Sequence, residues 1–477
     1  MFDYKAFAFQ KIAQIGPKYL PFADVATDDV PLSRLLRLSL FQVTVGMALV
    51  LMVGTLNRVM IVELAVPATL VAGMIALPLV FAPFRALIGF KSDSHRSALG
   101  WRRTPYIWKG TMWQFGGFAI MPFALLVLSG YGEAYDAPRW VGLSSAALAF
   151  LLVGAGLHMV QTVGLALATD LVRTEDHPKV VGLMYVMLLL GMVVSAFAFG
   201  ALLEVYTPGR LIQVIQGCAV TTIALNLFAM WKQEPRDRAR AQEMLTRKHD
   251  PKFSDSWREF IRYQGAFRLL VVIGLGTFAY GMADVLLEPY GGQILSMSVA
   301  ETTRLTAVLA GGTLLGFGWA SYTLARKGDP LRVARVGALI GVPGFAAIVF
   351  ASGTGSVPLF VLGTFGIGLG AGLFGHGTLT ATMRRAPETQ IGLALGAWGA
   401  VQATAAGVGV ALGGILRDIV VTLPMAKALP AQAPYLTVFA LEGAVLVVAL
   451  LAAWQLKSPK LLETSEPNPN SLSKSTV

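Results

Sequence analysis

The sequence predicts an all-α integral membrane protein with twelve transmembrane helices in two six-helix halves and both termini cytoplasmic. Three observations predict it. Apolar residues, glycine included, make up roughly 63% of the 477 residues, against about 45–50% in a soluble globular chain. Only 14% are charged, about half the usual quarter. The net charge of +11 is carried almost wholly by alternate loops, so it reads as a topology signal, and nothing supports a nucleic-acid partner. A water-soluble fold, a disordered chain and a collagen-like repeat are excluded. Cys218 has no partner in the chain, so no intrachain disulfide forms. Met1–Asp29 mixes acidic, basic and apolar residues and lacks the order of a signal peptide.

A bilayer core of about 30 Å takes roughly 20 apolar residues as helix, and such runs follow one another along the chain. The first six are Leu38–Leu56, Val66–Phe84, Thr111–Gly130, Trp140–Thr169, Val180–Leu203 and Leu211–Trp231. Lys232–Arg268 interrupts them with ten basic and six acidic residues and reads as a cytoplasmic linker. Its Arg236–Arg247 part is either a helix on the membrane surface or a solvated connection. Six further runs follow: Leu269–Pro289, Leu305–Ala325, Val336–Val357, Leu359–Met383, Ile391–Leu416 and Tyr435–Leu456. Asp284, Glu288 and Glu442 are the only charges within any of the twelve runs. With the N-terminus inside, 32 of the 38 Lys+Arg fall on the cytoplasmic side, a strong positive-inside bias that also suits anionic headgroups.

The organisation is then 1–37 as a cytoplasmic or interfacial segment, 38–231 and 269–456 as two bundles, 232–268 as linker and 457–477 as a disordered tail. The halves echo each other. Gly154-Ala155-Gly156-Leu157 in the fourth run matches Gly370-Ala371-Gly372-Leu373 in the tenth, and Gly46-Met47-Ala48 matches Gly281-Met282-Ala283. Such matches favour a parallel repeat around a central interface.

The loop after the second run reads Gly89-Phe-Lys-Ser-Asp93, then Gly100-Trp-Arg102-Arg103. It resembles the signature of the major facilitator superfamily, with a few extra residues before Gly100; a solvated basic turn is the plain alternative. The resemblance implies that Asp93 faces the start of the eleventh helix near Gln390 and Arg173 at the end of the fourth. A narrower resemblance spans nearly the whole chain. Leu56-Asn57-Arg58-Val59-Met60-Ile61-Val62-Glu63-Leu64, Phe84–Gly89, Arg96–Tyr106 and Asp284–Gly292 look like the bacteriochlorophyll delivery family of phototrophic bacteria, whose members include the light-harvesting assembly factors PucC and LhaA. Overall similarity leans towards LhaA, and so towards the core antenna over the peripheral one. The resemblance implies bacteriochlorophyll as cargo, with carotenoid as a second pigment. It also implies the light-harvesting α and β polypeptides, the reaction-centre core complex, the bacteriochlorophyll synthesis enzymes and the insertion machinery as partners, in the bacterial inner or intracytoplasmic membrane.

Such a cargo needs a greasy lateral opening and an axial ligand for its magnesium. His158 and His376 are the only histidines within runs, each an axial-ligand candidate or a packing residue. Gly372, Gly375, Gly396 and Gly399 either let helices approach or leave a shelf for a planar ring. Asp284 and Glu288 share one helix face, with Pro289 and Gly291-Gly292 set to end the helix. Arg58 is expected to pair with one of them and close the outer side, whereas a proton-coupled exporter would use Asp284 as proton acceptor. No phosphate-binding loop, His-Glu-x-x-His or Cys/His cluster is present in the sequence, which argues against an enzyme.

Overall fold

A computed structural model describes residues 30–80, 103–130, 136–173, 176–234, 265–326, 328–385, 391–423 and 429–456, with positions 88, 92 and 101. Those residues are helical almost throughout. Eleven helices are long and apolar enough to cross a membrane, and Ala68–Pro78 is a shorter apolar one. This is a multi-pass α-helical membrane protein.

Helix α1 is Leu32–Glu63, longer at both ends than the apolar run. It continues because its charges are met: Arg34 donates to the Gln233 carbonyl at 2.8 Å, and Arg58 pairs with Glu63. Its second half is wound as π-helix over Val50–Leu56 and Val59–Glu63, a local widening often found at functional sites. Ala65 then turns the chain at φ 48°. Arg139 holds that turn by donating to the Leu64 and Ala65 carbonyls at 2.8 and 3.1 Å. Helix α2 is Ala68–Val80, α3 Thr104–Ser129, α4 Arg139–Asp170, α5 His177–Leu202 and α6 Pro208–Met230. Gly130 ends α3 in the left-handed conformation, φ 61°, where glycine costs nothing.

Helix α7 runs over Ala266–Gln293 but breaks at Val285-Leu286 into Ala266–Asp284 and Leu287–Gln293. The break comes one turn before the expected stop at Pro289. Pro289 instead occupies the first turn of the short helix, where a missing N–H is harmless. Helix α8, Val299–Ala325, opens with a capping box of Ser298 and Glu301. Helices α9, Pro330–Thr354, α10, Val357–Arg385, α11, Ile391–Thr422, and α12, Ala433–Trp454, complete the order.

Helix pairing repeats with a period of six. Helix α3 packs along α4 as α9 packs along α10, and the contacts between the two groups, α2 with α11 and α5 with α8, exchange under the same shift. The repeated glycines explain the close pairs: a Cβ at Gly156 would strike the Gly110 carbonyl on α3, and one at Gly370 the Gly337 carbonyl on α9. Large apolar side chains such as Phe350, Trp140 and Val220 are 65–69% exposed, a surface that requires lipid as its solvent. Inside, Thr44, Asn226 and Thr111 tie α1, α6 and α3 through two 2.9 Å hydrogen bonds.

Candidate functional site

At the Arg58 end the two groups of helices are joined by polar contacts from α1 and α2. Thr55 and Thr303 hydroxyls lie 3.2 Å apart, and the Asn57 amide donates to the Val285 carbonyl at 2.9 Å, at the break in α7. Arg58 is 4% exposed. It pairs with Glu63 and donates to the Met297 carbonyl at 3.2 Å. The Thr69 N–H donates to Asp418 at 2.7 Å, linking α2 to α11.

The expected partner of Arg58 is therefore corrected. Its ion pair is with Glu63, one turn along the same helix, while the buried Glu288 accepts from the Thr306 hydroxyl and feels Arg58 only as a nearby charge. The π-winding places Arg58 and Glu63 on one side of α1, a register that 3.6-residue spacing does not reveal. Beside them, burial pushes the Tyr206 phenol up to about 12, with Glu63 adding and Arg58 opposing.

Asp284 retains partial exposure on α7, which packs along α12, and its charge is felt by Glu442 of α12, which is fully buried and has no hydrogen-bond partner on either carboxylate oxygen. Asp284 and Glu288, one turn apart in sequence, are thus separated by the helix break into two environments, one beside α12 and one facing α8.

His376 lies against the Phe317 ring at 4.1 Å between centroids, with Ser321 Oγ 3.3 Å from its Nε2. Nδ1 is buried without a partner. The cavity it lines with Tyr185, Phe317, Gly375 and Trp398 measures about 130 Å³, below the 300–1,000 Å³ usual for a drug-sized ligand. Tyr185 of α5 and Phe317 of α8 stack across it at 6.4 Å. His158 is half-buried on α4, and the structure does not bring it to the His376 cavity. Among the glycines, Gly372 packs on the Thr313 carbonyl of α8, while Gly375 and Gly399 have open space where a side chain would go. The surroundings of Gly396 lie outside the described residues.

At the opposite end Arg103, from the loop signature, is 5% exposed. It donates to Asp170 at 3.0 Å and to Ser92 at 2.6 Å. Glu234 accepts from the Arg103 and Thr104 backbone N–H groups at 2.8 Å each, capping α3 with a carboxylate at its positive end. The sequence reading missed Asp170 and Glu234. Their places at the ends of α4 and α6, level with the signature, were the available signal. Asp93 and Gln390 lie outside the described residues, as do positions 1–29 of the N-terminal segment, Arg236–Arg247 and the 457–477 tail. Arg173 pairs with Asp176 at 3.1 Å and is itself 68% exposed.

The broken α7, a six-helix period in the packing and charged clasps at both ends define a multi-pass helical membrane protein with the fold of solved transporters. A point mutant of the nucleoside transporter NupG superposes with a TM-score of 0.63 at 14% identity, covering 88% of this chain and 99% of its own. A bacterial homologue of the lysosomal transporter Spinster, inward-facing, gives 0.61 at 16% identity over 88% and 96%.

Within that class the chain belongs to the PucC family: the family model described as PUCC protein matches residues 55–461. Protein PucC of Rhodobacter capsulatus is 64% identical over 452 residues, 94% of this chain and 98% of its own. Protein PucC of Rhodovulum sulfidophilum is 65% identical over 413 residues, covering 87% and 91%. A more distant Rhodobacter capsulatus relative, at 27% identity over 88% of this chain and 94% of its own, is named bacteriochlorophyll synthase 44.5 kDa chain. Between PucC and LhaA, the relatives at 64–65% identity carry the former name.

Proposed function

We propose that this chain is a non-enzymatic assembly factor that binds bacteriochlorophyll, with carotenoid as a second pigment, and hands it to nascent antenna α and β polypeptides during assembly of the photosynthetic complexes. Membership of the PucC family over residues 55–461 carries this reading. In it, the apolar run that contains α2 completes twelve spans, both termini are cytoplasmic, and the Arg58 end faces away from the cytoplasm. The division into 38–231 and 269–456 follows the six-helix period of the packing. The membrane is the bacterial inner or intracytoplasmic one. Partners are the antenna polypeptides, the reaction-centre core, the pigment-synthesis enzymes and the insertion machinery. Both the core and the peripheral antenna are chemically suitable recipients, and the identity to PucC proteins now supports the member associated with the peripheral antenna.

The axial-ligand candidates are His158 and His376; ligation by His376 Nε2 requires the Ser321 hydroxyl to give it up. A second reading, a proton-coupled exporter, is favoured by one observation: Glu442 is fully buried inside the bundle and has no hydrogen-bond partner among the described residues. Ionisable residues inside a membrane bundle mark proton and ion pathways. Gently purified protein from pigmented cells separates the two readings by its near-infrared absorption. About one bacteriochlorophyll per chain is expected for the carrier. Colourless protein that catalyses proton-dependent flux in vesicles would replace it with the exporter.

A further inference from the structure

A larger cavity lies away from both histidines. Between α5 and α6 a cleft of about 630 Å³ opens on the outer surface of the bundle and reaches Met47 of α1 at its floor. Its volume falls in the range of pockets that enclose a drug-sized ligand. One wall is α5, with Val194 and Leu202 59% and 55% exposed at the lip. The other is a single face of α6 on which Arg210, Gln213, Gly217 and Thr221 follow one another over about 16 Å of helix.

Two features set this cleft apart from ordinary greasy packing. First, Gly217 keeps it open, since a Cβ there would meet nothing within 4 Å. Helix-packing glycines such as Gly156 and Gly372 meet a neighbouring backbone instead. Second, the side chains of Ser195, Arg210, Gln213 and Thr221 all line it, and none makes a hydrogen bond with the described residues. Gln213 and Thr221 stand within the apolar run of α6, where polar groups turned towards hydrocarbon need a partner, and Arg210 stands at its end. A row of unmet donors and acceptors between apolar walls calls for a flat, mostly apolar molecule with a few oxygens along its edge. A phospholipid chain offers polar atoms only at its head.

We propose that the α5–α6 cleft is the seat of the tetrapyrrole, entered sideways from the bilayer, with Arg210 and Gln213 meeting its peripheral carbonyl oxygens. The seat rests on the pigment-carrier reading above. It shifts the cargo from the small His376 cavity to the surface of one half, where transfer to a neighbouring helix needs no passage through the bundle.

The test uses the full chain purified in mild detergent from pigmented cells, with bacteriochlorophyll per protein read by near-infrared absorbance. Gly217→Leu fills the cleft without backbone strain and should lower occupancy at least fivefold with an unchanged melting temperature. Gly116→Leu on α3, another position with open space for a side chain, should leave occupancy within twofold of wild type, and His376→Leu should lower it less than Gly217→Leu does. Arg210→Gln, which keeps the volume, should shift the absorption maximum or lower occupancy. Wild-type pigment in Gly217→Leu would overturn the seat, as would loss in His376→Leu alone or equal loss in Gly116→Leu, with the carrier reading intact. A colourless wild-type protein would instead remove the carrier reading and the seat together.

Discussion

Arg58 shows how much a single side chain decides at its end of the bundle. A 4% exposed guanidinium survives in an apolar bundle because an anion and a backbone carbonyl meet it, and hydrogen bonds to charged groups contribute about 1.5–3 kcal/mol each. Arg58→Leu should therefore cost about 2 kcal/mol, leaving Glu288 without its nearby cation. Glu63→Gln should cost less than about 1 kcal/mol, because that carboxylate is 37% exposed and screened. Thermal melts of the two variants in detergent check the order; a larger loss from Glu63→Gln would mean that the pair, not the arginine's burial, sets the stability. Arg58 was legible as a charge at the end of the first apolar run. Its partner was not, because five residues of π-winding bring together groups that ordinary helical spacing keeps apart.

Among the elements, α5 begins at a residue whose charge can be tested. Asp176 precedes it as N-cap. Burial raises the Asp176 carboxyl, but Lys179 at 3.2 Å and Arg173 at 3.1 Å outweigh it and hold the group below its ordinary range. A lowered folded value makes its contribution complete above the unfolded value of about 3.9 and lost as pH falls through the folded one. Wild type should keep this increment from pH 7 down to about 4 and lose it below. Asp176→Asn should abolish that part of the acid dependence, as melts against pH would show; an Asn variant with the same acid profile would assign it elsewhere. The helices themselves were legible because lipid forces every spanning segment to satisfy its own backbone. Their ends were less so. Helix α1 runs past its apolar stretch on paired charges, and α7 breaks before its proline, both set by neighbours rather than by local composition.

For the whole molecule, the Arg58 end is where α1 and α2 are fastened to α7, α8 and α11. Thr55→Cys with Thr303→Cys, in a Cys218→Ser background, should form a disulfide in high yield in native membranes, since the two hydroxyls lie 3.2 Å apart. Failure to crosslink would show that the halves part at this end in the bilayer.

Composition, the run of apolar stretches and the placement of basic residues determined by themselves that the chain is a multi-pass helical membrane protein, and its segments over nearly the full length pointed to its family. The hydrophobic effect and the cost of bare backbone in lipid act on sequence directly. Only the tertiary structure decided that Arg58 answers to Glu63, that Glu442 is buried without a hydrogen-bond partner, that Arg103 is clasped by Asp170, and that the roomy cleft lies between α5 and α6 beside Gly217. Those outcomes depend on which helices become neighbours and at what rotation, and close approach at residues such as Gly156 and Gly370 fixes both only once the bundle is assembled.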